Sequence, residues 1–375
     1  MVYFDYSATT FPSKKVIKSF SLACQNYVGN PNSSYRIGKI AKAKIDNVTL
    51  SIAKILDVKK EEIIYTSGSS EANNLAIKGV CKANSGKHII TTYLEHSSVM
   101  APINRLIDEG YEVSFLKLDE NGLVDMNHLA SIIREDTVLV SIIGVDSELG
   151  IKQNINDIGV FLNNYPNCHF HVDATQMIGK TYFDFSNVDL VSFSAHKFFG
   201  IKGIGCLIKK ENVKIMPLID GGLSTTKYRS GTPALELISS LEVALKDAYI
   251  NFDKKLSYIN KLNNELRIFF EKFNGIKINN TENSIDQIIN ISLLNAKDII
   301  YHLNNSGIYV SSKSACSLQD MPSKSIMNLY NDEQRALNSI RISISYKTTK
   351  KDILTFKREF TKIYVGVLGY ENTKV

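Results

Sequence analysis

Between about residues 60 and 210, seven short apolar runs alternate with longer stretches whose apolar residues recur at helical spacing. The runs are EEIIYTSG, KHIITTYLEH, YEVSFLKL, DTVLVSIIGV, CHFHVDATQ, VDLVSFSAHK and GIGCLIKK. Short runs rich in β-branched residues read as strands, and strands that are apolar throughout need cover on both faces. Helical spacing in EANNLAIKGVCKA, SVMAPINRLIDEG, VDMNHLASIIRE and IKQNINDIGVFLNN supplies that cover as crossover helices. The predicted fold class is α/β, a mostly parallel seven-stranded sheet covered by helices. After about residue 235 the pattern changes to one long helical stretch, ALELISSLEVALKDAYINFDKKLSYINKLNNELRIFFEKF. Strand candidates DQIINISLL, GIYVSS and SIRISIS follow, with helices at AKDIIYHLNNS and KKDILTFKREFTKIYVGVL. The reading is a large domain over residues 15–250 and a smaller α+β domain from 1–14 and 251–375.

A chain of 375 residues with 44% hydrophobic and 22% charged residues can bury cores of this size, which excludes wholesale disorder. The net charge of +6 is spread without a long basic run, favouring acidic small molecules or partners over nucleic acid. Cys24, Cys81, Cys168, Cys206 and Cys316 are an odd number with no CxxC spacing, and the first four, in strand-like or helix-like runs, are expected to be packed. Neither a disulfide framework nor a zinc ribbon is predicted, and a reducing cytoplasm is the expected location. No signal-peptide pattern and no uninterrupted apolar window of about 18 residues occurs, so neither secretion nor a membrane span is expected.

In open α/β sheets ligands bind beyond the carboxyl ends of the strands. There, TSGSSEANN sets Gly68, Ser69 and Ser70 where a helix begins, either as an anion cradle or as an ordinary serine cap with Glu71 in the first turn. HVDATQ ends on Asp173 and Gln176, a carboxylate where a cationic ring nitrogen would need a partner. The alternation of His169, His171 and Asp173 also suits a metal, but no third ligand cluster is near in sequence, and no metal is expected. SFSAHKFFGIKGIGC carries Ser194, His196 and Lys197 before a glycine-rich turn. Lys197 reads as a desolvated amine nucleophile or as a solvated strand-end lysine.

Taken together, DYSATT, GNPNSS, TSGSSEANNLAIKG, the EH of TTYLEHSSV, HVDATQ, SAHKFFGIKGIG, RSGTPA and SSKSACS occur in an order that resembles the class V aminotransferase superfamily of fold-type I enzymes. Within it the chain is most similar to cysteine desulfurases of the NifS/IscS type. The resemblance implies pyridoxal 5'-phosphate as cofactor, with Lys197 forming the Schiff base and moving protons. Asp173 would face the ring nitrogen, Gln176 would contact the phenolic oxygen, and His96 would stack on the ring and relay protons. Ser70, Ser194 and His196 would hold the phosphate, with Ser69 assisting through its backbone. Thr232 would reach the phosphate of the partner subunit's cofactor, making the enzyme a homodimer, and Arg341 would hold the substrate carboxylate as a fork. Cys316, in a small polar stretch read as a mobile loop of the smaller domain, would take sulfur from L-cysteine as a persulfide, leaving L-alanine. The long interval from Cys316 to Arg341 resembles the desulfurases with an extended cysteine loop.

Sulfur would then pass to an acceptor protein, an iron–sulfur scaffold or a tRNA-thiolating enzyme, with no membrane and no direct nucleic-acid binding expected. Three positions depart from the family pattern. Where NNEIG is usual the chain has VDSELG, so Ser147 takes the place of an asparagine that bonds the phenolic oxygen, with Asp146 before it. Tyr35 replaces a common histidine, and Lys313 replaces a glycine of the cysteine loop. Competing readings are a class V aminotransferase, a selenocysteine lyase, and a sulfur-transfer scaffold with degraded catalysis.

Overall fold

A computed structural model describes residues 1–312 and 321–368. The chain opens with a two-residue strand, β1 (Val2–Tyr3), and two helices, α1 (Lys14–Asn26) and α2 (Arg36–Leu56). Then come β2 (Ile63–Thr66), α3 (Ser69–Ala83), β3 (His88–Thr91), α4 (Ser97–Asp108), β4 (Glu112–Phe115) and α5 (Met126–Ile132). These are followed by β5 (Thr137–Ile143), α6 (Ile155–Leu162), β6 (His169–Asp173), β7 (Leu190–Ser194) and β8 (Gly205–Lys209). All seven expected strands join one sheet in the order β2-β8-β7-β6-β5-β3-β4. Only β8 runs antiparallel to its neighbours. The carboxyl ends of β2, β3, β5, β6 and β7 therefore share one edge.

The inner strands are mostly apolar because both faces are covered, whereas β4, at the edge, is only partly buried. Every residue of β5 is buried. Ile63 and Tyr65 of β2 point into a core with α1, α2 and α7 (Leu235–Tyr249), whereas Ile64 points into the core beneath α3 and α4. A second core gathers Val2 and Phe4 with α8 (Phe252–Phe270), β9 (Lys277–Ile278), β10 (Ile288–Ser292), α9 (Ala296–Asn305) and β11 (Ile308–Tyr309). It is closed by β12 (Ser339–Ser343) and α12 (Lys350–Leu368). β9, β10 and β12 form an antiparallel sheet, and β1 pairs with β11. The short helices α10 (Lys324–Tyr330) and α11 (Glu333–Leu337) lie between β11 and β12 in the chain.

The structure corrects the sequence reading in four places. The long helical stretch is two helices, because Asn251 adopts a left-handed conformation (φ 53°) between α7 and α8. α6 starts only at Ile155, since Ile151 and Lys152 are spent in bridges to Ser284 and Val145. α5 stops at Ile132, where Ile133 turns extended toward β5. Cys24 is exposed rather than packed, unlike buried Cys81, Cys168 and Cys206. No described helix is long and apolar enough to cross a membrane.

Candidate active site

The glycine-rich loop and the strand ends build the site. Thr66 ends β2, and Gly68 leads into α3, whose first two residues are Ser69 and Ser70. A Cβ on Gly205 would lie 2.5 Å from the Phe193 carbonyl oxygen and 2.7 Å from Gly68 Cα, so this strand position accepts only glycine without moving backbone. A Cβ on Gly68 would meet Ser194 Oγ at 3.4 Å. The amino end of the 15-residue α3 thus lies beside buried Ser194, and His196 follows two residues on. Ser70 itself is exposed. Burial, reinforced by Lys197 and Lys202, pushes the His196 pKa down to about 4, and its Nδ1 pairs with the Thr9 hydroxyl at 3.1 Å.

Lys197 ends a short 3-10 turn after β7, and its amine donates to the carbonyl oxygens of Ser7 (2.7 Å) and Ala8 (2.9 Å). The turn is held by Phe199, an aromatic residue at φ 67°, whose N–H donates to the Thr10 hydroxyl at 2.7 Å. The DYSATT segment, which the sequence reading quoted without assigning it a role, therefore positions the lysine. Gln176, buried, donates to the same Ser7 carbonyl at 2.9 Å and accepts from buried Lys180. Its Nε2 carries a second proton beyond the one given to Ser7. Burial, with Lys197 and Arg341 nearby, pushes the Lys180 ammonium well below its usual range.

Asp173, at the end of β6, is 2% exposed and accepts from the Thr175 N–H (2.9 Å) and from Asn73 Nδ2 (2.8 Å). Beneath it, His171 bonds Ser141 on β5 and Ser192 on β7 through its two ring nitrogens, at 2.9 and 3.0 Å. Burial drops the His171 pKa to about 4. Both nitrogens are committed to hydroxyls, which accounts for His171 without a metal. His96 caps α4 and accepts the Ser98 N–H on Nδ1 at 3.1 Å. Its pKa is lowered by burial and by Lys197, against the pull of Asp173. Beside it Glu95 is fully enclosed, and burial raises its carboxyl well above the usual range while Oε1 ties Thr92 to the Ile143 N–H.

Arg341 is 1% exposed on β12. Nη2 donates to Asp5 at 2.7 Å and Nη1 to the Ser147 carbonyl at 3.0 Å. Ser147 thus meets the site through its backbone. Thr232 is exposed and borders a cleft with Ser67, Gly203 and Arg229. Cys316 and Lys313 lie outside the described residues. Asn73 and Lys180 were missed by sequence reasoning; their signal is a buried polar side chain next to a motif residue, which appears only on folding.

The class-V aminotransferase model matches residues 2–356. The chain belongs to the class-V aminotransferase family. A cysteine desulfurase IscS of Dictyoglomus turgidum is 35% identical over 363 residues, covering 94% of this chain and 91% of that protein. A NifS/IcsS protein homolog of Lactobacillus delbrueckii subsp. bulgaricus is 34% identical over 374 residues, covering 97% of each. A solved NifS-like protein superposes with a TM-score of 0.91 at 29% identity, covering 97% of this chain and 99% of that one. Class-V aminotransferases use pyridoxal 5'-phosphate. The residues here fit that group: an amine, a buried carboxylate and the glycine-led amino end of a helix lie at one sheet edge. Among the described residues, seven buried side-chain atoms lack a hydrogen-bond partner, and five belong here: Ser7 Oγ, Asn73 Oδ1, Glu95 Oε2, Thr175 Oγ1 and Arg341 Nε. Buried polar atoms are normally paired, so this concentration marks a place built to hold a polar guest.

Proposed function

We propose that the chain is a pyridoxal-phosphate-dependent cysteine desulfurase. It would convert L-cysteine to L-alanine and pass the sulfur, as a persulfide on Cys316, to an iron–sulfur scaffold or a tRNA-thiolating enzyme. The observation that carries this reading is that Lys197, Asp173 and His96 lie at the carboxyl ends of β7, β6 and β3, on one edge of the sheet, in a chain similar over nearly its whole length to proteins named cysteine desulfurase. When bound, the cofactor supplies an electron sink for the charge left at Cα once its proton departs.

The chain's own residues do the rest. The Ser7 and Ala8 carbonyls accept from the Lys197 amine and hold it at the strand end, where it would move the substrate's Cα proton. Asp173, fixed by Thr175 and Asn73, keeps a proton on the ring nitrogen. Ser194, His196 and the start of α3 bind the phosphate. Arg341, held by Asp5 and the Ser147 carbonyl, offers its remaining N–H donors to the substrate carboxylate. The Cys316 thiolate attacks the substrate sulfur: an S–S bond forms, the C–S bond breaks, and protons returned to carbon complete alanine. Two subunits sharing sites through Thr232 complete the reading.

The test is alanine formation from L-cysteine with a reductant present, in the wild type, Lys197→Ala and Cys316→Ala. Alanine with equimolar sulfide is expected from the wild type alone. Equal turnover by Cys316→Ala would replace the reading with an aminotransferase or a lyase.

A further inference from the structure

His96 sits at the end of a hydrogen-bonded chain that starts at Asp173. Asn73, on α3 and fully buried, places Nδ2 at 2.8 Å from Asp173 Oδ2 and 2.9 Å from Ser98 Oγ. Ser98 Oγ lies 2.8 Å from His96 Nδ1, and the Ser98 backbone N–H is aimed at the same nitrogen at 3.1 Å.

Counting protons along this chain gives its direction. An ionised carboxylate only accepts, so the Asn73 amide must present its NH2 group to Asp173, and the second proton of that group falls on Ser98 Oγ. The Ser98 hydroxyl, now an acceptor from Asn73, has one proton of its own, and His96 Nδ1 is its neighbour. The backbone N–H of Ser98 cannot rotate away, because it belongs to the first turn of α4, which His96 caps. Two donors therefore converge on Nδ1, which must be unprotonated, and the ring proton resides on Nε2. Charging the ring would place a proton on Nδ1, set it against the Ser98 backbone N–H and force the Ser98 hydroxyl to turn from donor to acceptor.

We propose that Asn73 and Ser98 are positioning residues that lock His96 as its Nε2–H tautomer, so that His96 serves the site as a hydrogen-bond and proton donor rather than as a base. The inference rests on the proposed reading of His96 as the residue beside the cofactor ring. The neutral state agrees with the burial of His96, Asp173 being the opposing charged neighbour.

The ring nitrogens report the tautomer directly. Holoenzyme with 15N-labelled histidine is examined by NMR across pH, His96 being assigned from the spectrum of His96→Gln. The expected wild-type signature is an unprotonated Nδ1 and a protonated Nε2. Ser98→Ala removes a donor that stabilises the neutral ring, so the His96 titration midpoint moves upward, and Ser98→Thr restores it. Asn73→Leu moves it the same way, since nothing then turns the Ser98 hydroxyl toward Nδ1. A protonated Nδ1 in the wild type, or unchanged midpoints in both Ser98→Ala and Asn73→Leu, overturns the proposal. Alanine assays on the same samples decide the desulfurase reading separately, so either conclusion can fail without the other.

Discussion

Gly205 and Arg341 show how single residues tie the site to the fold. The space that a Cβ on Gly205 would need is occupied by backbone from β7 and from the loop opening α3. Gly205→Ala is expected to cost about 1–3 kcal/mol of stability, as overpacking does, and to make the cofactor leave on dialysis; denaturant titration and the absorbance of the dialysed protein check both. Arg341 was legible as a candidate carboxylate fork, but its anchors were not, since Asp5 and Ser147 are far from it in sequence and only the pairing of layers brings them together. Arg341→Met removes the guanidinium offered to the substrate carboxylate and strands Asp5. Losing one member of a buried charge pair costs about 2 kcal/mol or more, so kcat/KM for L-cysteine should fall about 30-fold or more. An unchanged steady-state value would remove Arg341 from substrate binding.

At the scale of elements, the inner strands were readable because burial on both faces made them mostly apolar. The buried spacing of Gly38, Ala41, Ile45, Val48, Ile52 and Leu56 also carried a signal for α2, which the strand-led reading passed over. The break between α7 and α8 was hidden because it depends on Asn251 entering the left-handed region, where asparagine is tolerated and the flanking helical periodicity is uninterrupted. Asn251→Ala should destabilise the protein by about 1 kcal/mol, read as a lower denaturation midpoint. α12 was legible from its periodicity, but its aromatic cluster was not. Phe360 is fully buried against Phe269, Phe270, Phe273, Phe356 and Tyr364. Phe360→Ala should cost about 3–5 kcal/mol by the same measurement.

Across the whole molecule, the turn after β5 grips the segment that follows residue 320. Asp146 accepts from Ser325 (3.0 Å) and Glu148 from Ser323 (2.5 Å), joining the large sheet to α10. Burial, with Glu148 adding to it, raises the Asp146 carboxyl from its ordinary 3.8 to about 6. The folded protein therefore keeps a proton that the unfolded chain releases, and the stability from this group is lost as pH rises from about 4 through 6. His171 and His196, both lowered to about 4, slope the opposite way in that window, so the variant must be compared with the wild type at each pH. Asp146→Asn should gain on the wild type as pH rises, by up to about 3 kcal/mol above pH 6, and parallel stability curves would contradict this. The central claim is that Lys197 chemistry delivers sulfur to Cys316, and mass spectrometry of the alkylated Cys316 peptide after exposing the holoenzyme to L-cysteine tests it most directly. The account predicts one added sulfur atom there in the wild type and none in Lys197→Ala. An unmodified Cys316, or sulfur carried instead by exposed Cys24, would contradict it.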